Sequence, residues 1–468
     1  MWLRRDLRLA DNPALHAAIG AGYAPILVYI HAPEDDAPWQ PGAATKWWLH
    51  HSLAALTGEI EKLGGRLLLR AGPTAAALDA LIADTGATAV YWNRLYEPAT
   101  RERDTVIKAD LKSRGMDAQS FAGHLLSEPF SIKTGAGEPY RVFTPYWRNL
   151  SQRIDSSAPL SAPRELPGNA AHSLSLDALG LLPSIRWDSG FSERFTPGET
   201  GANEALEIFC ESALESYANG RDLPDRHGTS RLSPHLHFGE ISPRAIAHRL
   251  LAHAAPAAKL VAEPYLRELG WRDFGHHLLF HFPHLHEQPM QPAFQAFPWA
   301  EVDAGKLHAW QRGQTGIPII DAGMRELWQT GWMHNRVRMI VASFLTKNLR
   351  YHWLHGARWF WDTLLDADLA NNTQGWQWTA GCGADAAPYF RVFNPVAQGE
   401  RFDPLGVYVK RFVPELKQLS AKVIHQPWSV GGVSGYPKAL VDLKLTREAA
   451  LAAFAQMRSG LQQPDATV

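Results

Sequence analysis

Short apolar runs alternate with helical patterns over the first 125 residues of the chain. The apolar runs have the length and composition of buried strands, and the segments between them repeat apolar residues at intervals of three and four. Strands that alternate with helices indicate a doubly wound parallel sheet. The predicted strands cover residues 25–30, 66–69, 89–92 and 119–121, and the predicted helices cover residues 43–63, 74–84 and 100–114. Only residues 1–3 are left for a first strand, so that strand is either unusually short or clipped.

The pattern changes beyond this region. Residues 151–197 are rich in Ser, Ala, Pro and Gly and have little periodicity, which is typical of a long connector. The remaining sequence is helical in pattern almost to its end, and residues 319–349 carry one long apolar stripe interrupted at Gly331. The predicted organisation is a Rossmann-like α/β domain (1–125), an interdomain connector (126–197) and an all-helical domain (198–468).

The composition of the chain indicates its solubility and the compartment in which the protein is expected to act. With 46% hydrophobic and 20% charged residues, and no run of roughly 20 apolar residues, the chain is expected to be soluble. It shows no secretory signal, and Cys210 and Cys382 lie far apart, which favours the cytoplasm. The net charge of -1 argues against nonspecific coating of nucleic acid without excluding a local basic patch. The 18 Trp residues leave room for stacking platforms and electron relays beside ordinary packing.

A polar cluster around residues 228–234 is the first candidate for ligand binding. Ser233 followed by Pro234 predicts a helix start, with the serine as N-cap. Hydroxyls and a cation just upstream would suit a diphosphate near the helix amides. The alternative is a capped helix whose polar residues are only solvated.

Three residues of a predicted helix share one face by their spacing: Glu268, Trp271 and Arg272. A carboxylate, an indole and a guanidinium together can recognise a flipped nucleobase. The alternative is a surface ion pair between Glu268 and Arg272 beside a packed indole, worth about 0.3–0.5 kcal/mol.

Residues 332–339 form a further candidate, in which Asn335 and Met339 are neighbours on a helix and Arg336 and Arg338 point to different faces. The alternative is a core stripe with solvated arginines. Nearby, His277 and His281 have helical spacing for a metal, but the HExxH glutamate and cysteine ligands are missing, so we predict no metal.

The segment 366–378 is the densest in chemistry. It is predicted to be a polar loop in which acids suit a ribose or adenine, an amide suits a reactive ring atom, and two indoles point in different directions. The alternative is an ordinary polar loop followed by buried aromatics. Its polar and aromatic residues are Asp366, Asp368, Asn371, Asn372, Trp376 and Trp378.

Together these residues resemble the photolyase/cryptochrome family, and within it the class I cyclobutane pyrimidine dimer photolyases. The resemblance covers nearly the whole chain, and the order and spacing of its motifs are highly specific. The motifs lie at residues 4–13, 143–145, 228–234, 315–321, 331–339, 366–378 and 389–395.

The resemblance implies a lyase that repairs pyrimidine dimers in DNA with blue light, using noncovalent FAD that is fully reduced in the active state. Asn372 would face flavin N5, and Trp376, Trp353 and Trp299 would relay electrons from the surface. The spacing around Trp299 is one residue longer than in the family. The positions that match cofactor contacts are Tyr217, Thr229, Ser230, Arg231, Leu232, Ser233, Asp366, Ala367, Asp368 and Asn372.

The resemblance also implies a DNA site. Glu268 would stabilise the dimer anion by hydrogen bonding to a thymine carbonyl. The positions that match the dimer pocket are Glu268, Trp271, Arg272, Asn335, Met339 and Trp378, and those that match other DNA contacts are Arg221, Arg336 and Arg391. UV-damaged DNA is the expected partner of a chain that acts as a monomer, without an obligate protein partner.

Subgroup positions favour dimer repair over the alternative, a cryptochrome-like blue-light receptor that binds FAD. Six-four photolyases carry histidines where this chain has Asn335 and Met339, the DASH group has tyrosine at Trp378, and plant cryptochromes differ at Asn372. The antenna chromophore stays open between folate, deazaflavin, another flavin and none. Ala99 and Thr100 stand where an Asn–Glu pair would contact folate, which weakens the folate case.

Overall fold

A computed structural model describes residues 1–252, 255–386 and 390–460 of the chain. Five parallel strands form the N-terminal sheet, in two hydrogen-bonded parts ordered β1-β2-β3 and β4-β5, and β1 lies beside β4. The strands are β1 (Trp2–Leu3), β2 (Leu27–His31), β3 (Leu67–Ala71), β4 (Ala89–Asn93) and β5 (Asp117–Phe121). The first strand is two residues long and lies within residues 1–3, the segment left for it in the sequence.

Four helices accompany these strands: α1 (Pro13–Gly20), α2 (Ala43–Lys62), α3 (Thr74–Thr85) and α4 (Pro98–Ser113). The last three lie within two residues of the predicted helices. Helix α1 was not predicted from the sequence, although its start is well marked. The Asn12 side chain accepts a hydrogen bond from the backbone N–H of Leu15 at 3.2 Å, and Pro13 is the first helical residue.

The predicted connector carries little regular structure but is anchored on both sides. It follows the sheet through backbone hydrogen bonds such as Leu174 N–H to the Leu69 carbonyl at 2.9 Å. Within the predicted connector, helix α5 (Phe143–Leu150) buries Phe143 and Leu150 in the core of the helical region. Part of this segment therefore belongs structurally to the helices that follow.

Thirteen further helices are present in the described part of the helical region, and no described helix is both long and apolar enough to cross a membrane. The predicted stripe 319–349 is interrupted where expected, because Gly331 ends α12 with a left-handed φ of 66°. A π-helical turn, Phe344–Asn348, follows α13. The helices are α6 (Glu199–Ser212), α7 (Tyr217–Gly220), α8 (Ser233–Phe238), α9 (Pro243–Leu251), α10 (Pro256–His281), α11 (Ala304–Gln311), α12 (Pro318–Thr330), α13 (Asn335–Ser343), α14 (Trp353–Thr363), α15 (Leu369–Ala380), α16 (Pro395–Phe402), α17 (Val407–Phe412) and α18 (Leu443–Gly460).

The two regions share a buried polar seam. Trp48 on α2 donates its indole N–H to Glu240 at 2.9 Å, and Arg8 donates to the Gly239 carbonyl at 2.8 Å. A Cβ at Gly239 would lie 2.2 Å from the Arg5 carbonyl oxygen, so only glycine permits this approach. The α/β part is thereby fixed against the helices that carry the candidate site.

Candidate functional site

The segment 366–378 is largely helical, and its prediction as a loop is wrong. Asp368 is the N-cap of α15, and its Oδ1 accepts hydrogen bonds from the backbone N–H of Asn371 at 2.9 Å and from Asn371 Nδ2 at 2.7 Å. A carboxylate at this position stabilises a helix by about 1 kcal/mol. Asn371 is thus committed to the helix start, whereas Asn372 is available for other contacts.

Asp366 lies buried just before this helix. Its Oδ2 accepts a hydrogen bond from Arg338 Nη2 at 2.8 Å, and Arg338 is itself held by the Met333 carbonyl at 2.7 Å. Its Oδ1 is buried and has no hydrogen-bond partner among the described residues. A buried carboxylate oxygen in this state is suited to a ligand hydroxyl or N–H.

Asn372, Trp376 and Trp378 face in different directions on α15. Asn372 Nδ2 donates to the Ala357 carbonyl at 3.0 Å, which turns the amide oxygen away from α14. The indole of Trp376 is buried, whereas that of Trp378 is half-buried and donates its N–H to the Asp385 carbonyl at 3.1 Å. The expectation that the two indoles point apart is confirmed.

The loop before α8 is built around Ser230. Its hydroxyl accepts hydrogen bonds from Tyr265 Oη at 2.9 Å and from the backbone N–H of Leu232 at 3.3 Å. Arg231 has a left-handed φ of 54° and lies with its guanidinium 5.6 Å from the Trp332 ring centroid. Nearby, the buried ring of Tyr217 packs 5.3 Å from that of Tyr265, and Thr229 is half-buried.

The prediction that Ser233 caps the next helix is wrong. Leu232 is the N-cap, Ser233 and Pro234 are the first two residues of α8, and no side chain caps this six-residue helix. The Ser230 hydroxyl already accepts a hydrogen bond from the backbone N–H of Leu232, just before the helix. The exposed Ser233 hydroxyl instead accepts a hydrogen bond from the Trp332 indole at 3.4 Å.

The face predicted on α10 is only partly formed. Glu268 pairs with Arg221 at 2.5 Å, and both side chains keep about a quarter of their exposure, 28% and 24%. The indole of Trp271 stacks on the ring of Phe143, with 3.6 Å between centroids and 12° between planes. Glu268 and Trp271 therefore remain accessible from one side.

Arg272 points away from this face, and the alternative of an ion pair between Glu268 and Arg272 is wrong, because both residues have other partners. Its guanidinium donates to the carbonyls of His124 at 2.8 Å and Leu236 at 3.3 Å. A long side chain can swing toward unpaired backbone carbonyls, so i+4 spacing did not fix its partner. Arg272 thereby connects α10 to the segment after β5 through its hydrogen bond to the His124 carbonyl.

Asn335 is the first residue of α13, and Met339 lies one turn further along the same partly exposed face. Arg336 is fixed by an ion pair with Asp222 at 2.9 Å, and its guanidinium lies 4.4 Å from the Phe402 ring centroid. The alternative of freely solvated arginines is therefore wrong for Arg336. Arg391 is exposed.

The three relay candidates have aromatic neighbours that the sequence analysis did not identify. The ring of His352 lies between Trp299 and Trp353, at 5.1 Å and 5.5 Å from their centroids. Trp376 contacts Trp310, with ring centroids 6.2 Å apart. Trp353 and Trp376 are buried and Trp299 is half-buried, so the set extends from the core toward the surface.

A buried group of histidines and Asp368 was also missed. Ligand-type atoms of His124, His276 and Asp368 lie within 4.8 Å of one another, and His276 Nε2 is 3.2 Å from Asp368 Oδ2. Burial, followed by the charge of Arg272, lowers the pKa of His124 well below its ordinary value. Arg5 also lies close enough to affect this pKa, and two guanidinium groups oppose a bound cation.

The metal candidates from the sequence, His277 and His281, both bond the Pro129 carbonyl, at 3.0 Å and 3.2 Å. Burial lowers the pKa of His277 to about 4. These two histidines hold the segment after β5 against α10. The absence of a resident metal stays a prediction.

The residues around α15 fit a nucleotide cofactor such as FAD. The free Oδ1 of Asp366 suits a donor of the ligand, the Asn372 amide oxygen suits another, and the half-buried Ser230, Arg231 and Thr229 supply polar groups for a diphosphate. These residues come from two separate stretches of the chain, 229–231 and 366–372. Their convergence is what the fold adds to the motifs.

A pocket of about 150 Å³ opens at the carboxyl end of β2, between the α/β part and the helical region, and Trp361 and Leu369 are among its lining residues. Trp39 and Trp361 approach each other at its wall, with ring centroids 5.4 Å apart and planes at 78°. Arg103 and Pro98 from α4 also line it. Ligands of open α/β sheets bind at this end of the strands.

Two comparisons of sequence connect the geometry with known proteins. Residues 1–165 match the family described as DNA photolyase, and residues 265–456 match the FAD binding domain of DNA photolyase. The chain is 48% identical over 471 residues to the deoxyribodipyrimidine photo-lyase of Agrobacterium fabrum, covering 98% of each chain. It is 37% identical to Cryptochrome-1 of Arabidopsis thaliana, covering 98% of this chain and 70% of the relative.

Solved structures agree with this likeness. A bacterial class III photolyase from Agrobacterium tumefaciens superposes with a TM-score of 0.92 at 47% identity, covering 98% of this chain and 97% of that one. An archaeal photolyase from Sulfolobus tokodaii with two FAD molecules gives a TM-score of 0.84 at 31% identity, covering 97% and 99%. The predicted fold class is confirmed, whereas the choice of class I over class III is not decided.

Proposed function

The chain belongs to the photolyase/cryptochrome family, and from this premise we propose that it repairs cyclobutane pyrimidine dimers in DNA by light-driven electron transfer. The observation that carries the proposal is the arrangement on α15. This helix places Asn372 and Trp378 on different sides and packs against α10 and α13, which carry Glu268 and Met339. A cofactor side and a lesion side thus meet on one helix.

FAD in its reduced form, when bound, supplies the light-excited electron that splits the dimer. Asp366 and Ser230 would hold it by hydrogen bonds, with Arg231 near the diphosphate. Asn372 would present its amide oxygen to N5, because its NH₂ is already bonded to Ala357. A neutral amide at that place accepts the N–H of the fully reduced ring without adding a charge.

The lesion side is formed by residues that keep partial exposure. Trp271 and Trp378 offer flat apolar faces for the two pyrimidines, and Met339 offers an adaptable apolar contact. As the protonated carboxyl, Glu268 would donate a hydrogen bond to a pyrimidine carbonyl where negative charge develops. Because Glu268 is paired with Arg221 in the free protein, substrate must share or displace that ion pair.

The flipped lesion gives selectivity without reading base sequence, because a dimer is poorly paired and costs less to extrude than an intact pair. Phosphate contacts by Arg221, Arg336 and Arg391 would supply much of the remaining affinity and make it sensitive to salt. Arg272 has internal partners, so we assign it no lesion contact.

Finer assignments complete the proposal. Asn335, Met339 and Trp378 support dimer repair over six-four repair and the DASH group, and class I stays a prediction. We propose the pocket beside Trp39 and Trp361 for an antenna chromophore, whose identity stays open. The free thiols of Cys210 and Cys382 support action in the reducing cytoplasm, and a monomer is expected.

The test is illumination of the reduced protein with an oligonucleotide that contains one thymine dimer. We expect dimers to disappear under blue light and to persist in the dark. The rival function, a blue-light receptor, predicts flavin photoreduction without loss of dimers. That outcome would overturn the repair proposal and leave FAD binding intact.

A further inference from the structure

A histidine contacts both outer indoles of the relay proposed for flavin reduction. The ring centroid of His352 lies 5.1 Å from that of Trp299, with the planes at 70°, and 5.5 Å from that of Trp353, with the planes at 32°. Aromatic rings at such distances are in contact. The half-buried His352 side chain therefore joins the buried indole to the half-buried one.

The backbone around Trp299 is held independently of the His352 ring. The N–H of Ala300 donates to the carbonyl of Arg350 at 2.8 Å, and the N–H of Asp303 donates to the hydroxyl of Tyr351 at 3.0 Å. These bonds attach the segment that carries Trp299 to the residues just before α14. A change of the His352 side chain thus leaves this attachment in place.

The His352 side chain has a second contact, at the start of α14. His352 is the N-cap of this helix, and its Nδ1 accepts a hydrogen bond from the backbone N–H of Leu354 at 3.3 Å. A ring nitrogen that accepts a hydrogen bond carries no hydrogen, so the neutral imidazole carries its hydrogen on Nε2. Neither nitrogen is then free to take a proton from a neighbouring indole.

The His352 ring is also uncharged at neutral pH. Burial, and then the nearby charge of His355, lowers the pKa of His352 to about 4. A positive charge at this place would oppose the oxidation of an adjacent indole, because an oxidised indole is itself a cation. The neutral imidazole adds no such charge.

Trp353 is placed so that it keeps its own proton. Its Nε1 is buried and has no hydrogen-bond partner among the residues that the structure describes. An oxidised Trp353 therefore stays a radical cation until an electron reaches it. The neighbouring aromatic contact through which that electron can come is His352.

We propose that His352 is a positioning residue that bridges Trp299 and Trp353, so that one electron passes from Trp299 to oxidised Trp353. In this step the Trp353 radical cation becomes the neutral indole and Trp299 becomes the radical cation, and no bond forms or breaks. An external thiol reductant supplies the electron that restores Trp299. The imidazole is not oxidised. The inference rests on the relay in the proposed function and is independent of dimer repair.

Two substitutions separate the aromatic ring from the helix cap. His352→Phe keeps an aromatic ring but has no acceptor for the N–H of Leu354. His352→Asn keeps an acceptor of the kind favoured at N-caps but has no aromatic ring. A capping role alone predicts that His352→Phe is the more harmful change, whereas the bridging role predicts that His352→Asn slows electron transfer more.

The experiment measures the rate of flavin reduction in blue light, using the full-length protein with bound FAD and an excess of a small thiol. We expect His352→Asn to slow this reduction by at least about tenfold and His352→Phe by less than about threefold. Denaturant unfolding should give the opposite order, with His352→Phe the less stable protein. A parent-like rate for His352→Asn would overturn the proposal, as would a slower rate for His352→Phe than for His352→Asn.

A double variant tests whether His352 acts between the two outer indoles. Trp299→Phe removes the residue from which the electron would come. Adding His352→Asn to Trp299→Phe should therefore slow photoreduction by less than about twofold further, whereas independent effects would multiply. A further tenfold loss in the double variant would show that His352 acts elsewhere, and would overturn the bridging role.

Flash spectroscopy observes the same step without a reductant. If the electron cannot leave Trp299, the charge on Trp353 recombines, so the yield of the tryptophan radical that persists after the flash should fall in His352→Asn. It should stay close to that of the parent in His352→Phe. An unchanged yield in His352→Asn would contradict the proposal.

Failure of this inference is distinguishable from failure of the repair proposal. Protein that has been reduced chemically needs no relay, so the loss of dimers from its DNA under light tests repair alone. Photoreduction of the oxidised protein without DNA tests the relay alone. A parent that binds FAD but is not photoreduced would overturn the role of His352, whether or not the reduced protein repairs dimers.

Discussion

Gly356 on α14 offers a test of how tightly Trp376, the indole proposed for the electron relay, is packed. A Cβ at Gly356 would lie 2.0 Å from Cη2 of Trp376 and within 2.5 Å of two other ring atoms. Ordinary contact begins at 3.4 Å, so the indole or the helix must move by roughly 1.4 Å. Trp376 is buried, so little free space is available for that movement.

The energetic effect of Gly356→Ala has two opposing parts. Overpacking a close-packed core costs about 1–3 kcal/mol. Replacing glycine by alanine inside a helix returns about 1 kcal/mol. We therefore expect a net loss of about 0–2 kcal/mol in the free energy of unfolding.

Gly375→Ala is the matched control, because it lies on α15 next to Trp376 and its Cβ would meet nothing within 4 Å. It should gain about 1 kcal/mol from helix propensity alone. The assays are denaturant unfolding and the rate of flavin reduction in blue light with an external reductant. We expect Gly356→Ala to be less stable than Gly375→Ala and to photoreduce more slowly than the parent.

Tight packing of Trp376 against α14 would be contradicted if Gly356→Ala matched Gly375→Ala in stability and the parent in photoreduction rate. That result would mean that α14 and α15 can separate at no cost. A loss of stability with an unchanged rate would keep the packing argument and remove Trp376 from the relay.

Three further predictions address the site and its surroundings. Glu268→Gln should lower the yield of dimer repair per absorbed photon more than it lowers dimer binding, because an amide N–H is a weaker donor than a carboxyl O–H to the carbonyl where negative charge develops; equal losses in both measurements would contradict this. Asp366→Ala should leave Arg338 without its ion-pair partner. The amount of FAD that stays bound during gel filtration should fall by at least tenfold. Full retention of FAD would show that Asp366 does not belong to the cofactor site. Burial raises the pKa of Asp273 to about 7, so the folded protein favours the protonated carboxyl. The stability of the parent relative to Asp273→Asn should therefore fall as the pH rises from 4 to 7. Denaturant unfolding of both proteins across this range measures the difference, and a difference that does not change with pH would refute the raised pKa.

The candidate site could be predicted only where a residue's role follows from the type of side chain and its place in a motif. Trp376 and Trp378 were expected to diverge, and they do, because side chains two residues apart on a helix do not face the same way. Arg272 shows the opposite case. Its spacing suited Glu268, but two carbonyls brought close by the fold gave it better-placed acceptors.

Local periodicity determined most of the architecture. The strands and helices of the first 125 residues, and the break of the long stripe at Gly331, follow from patterns that extend over a few residues. Helix α1 and the capping of α8 were missed or misplaced, because short helices give little periodic signal. The local sequence thus determined the helices, the strands and the candidate residues.

Only the tertiary structure decided which distant residues meet. Trp271 on α10 stacks on Phe143 of α5, and His276 meets both Asp368 and His124, yet no pattern in the sequence joins these positions. The physical reason is that a hydrogen bond between distant segments depends on how whole helices pack, which is set by the summed burial of their apolar faces. The motifs determined which side chains the site has available, and the packing of α5, α10 and α15 determined how they are held.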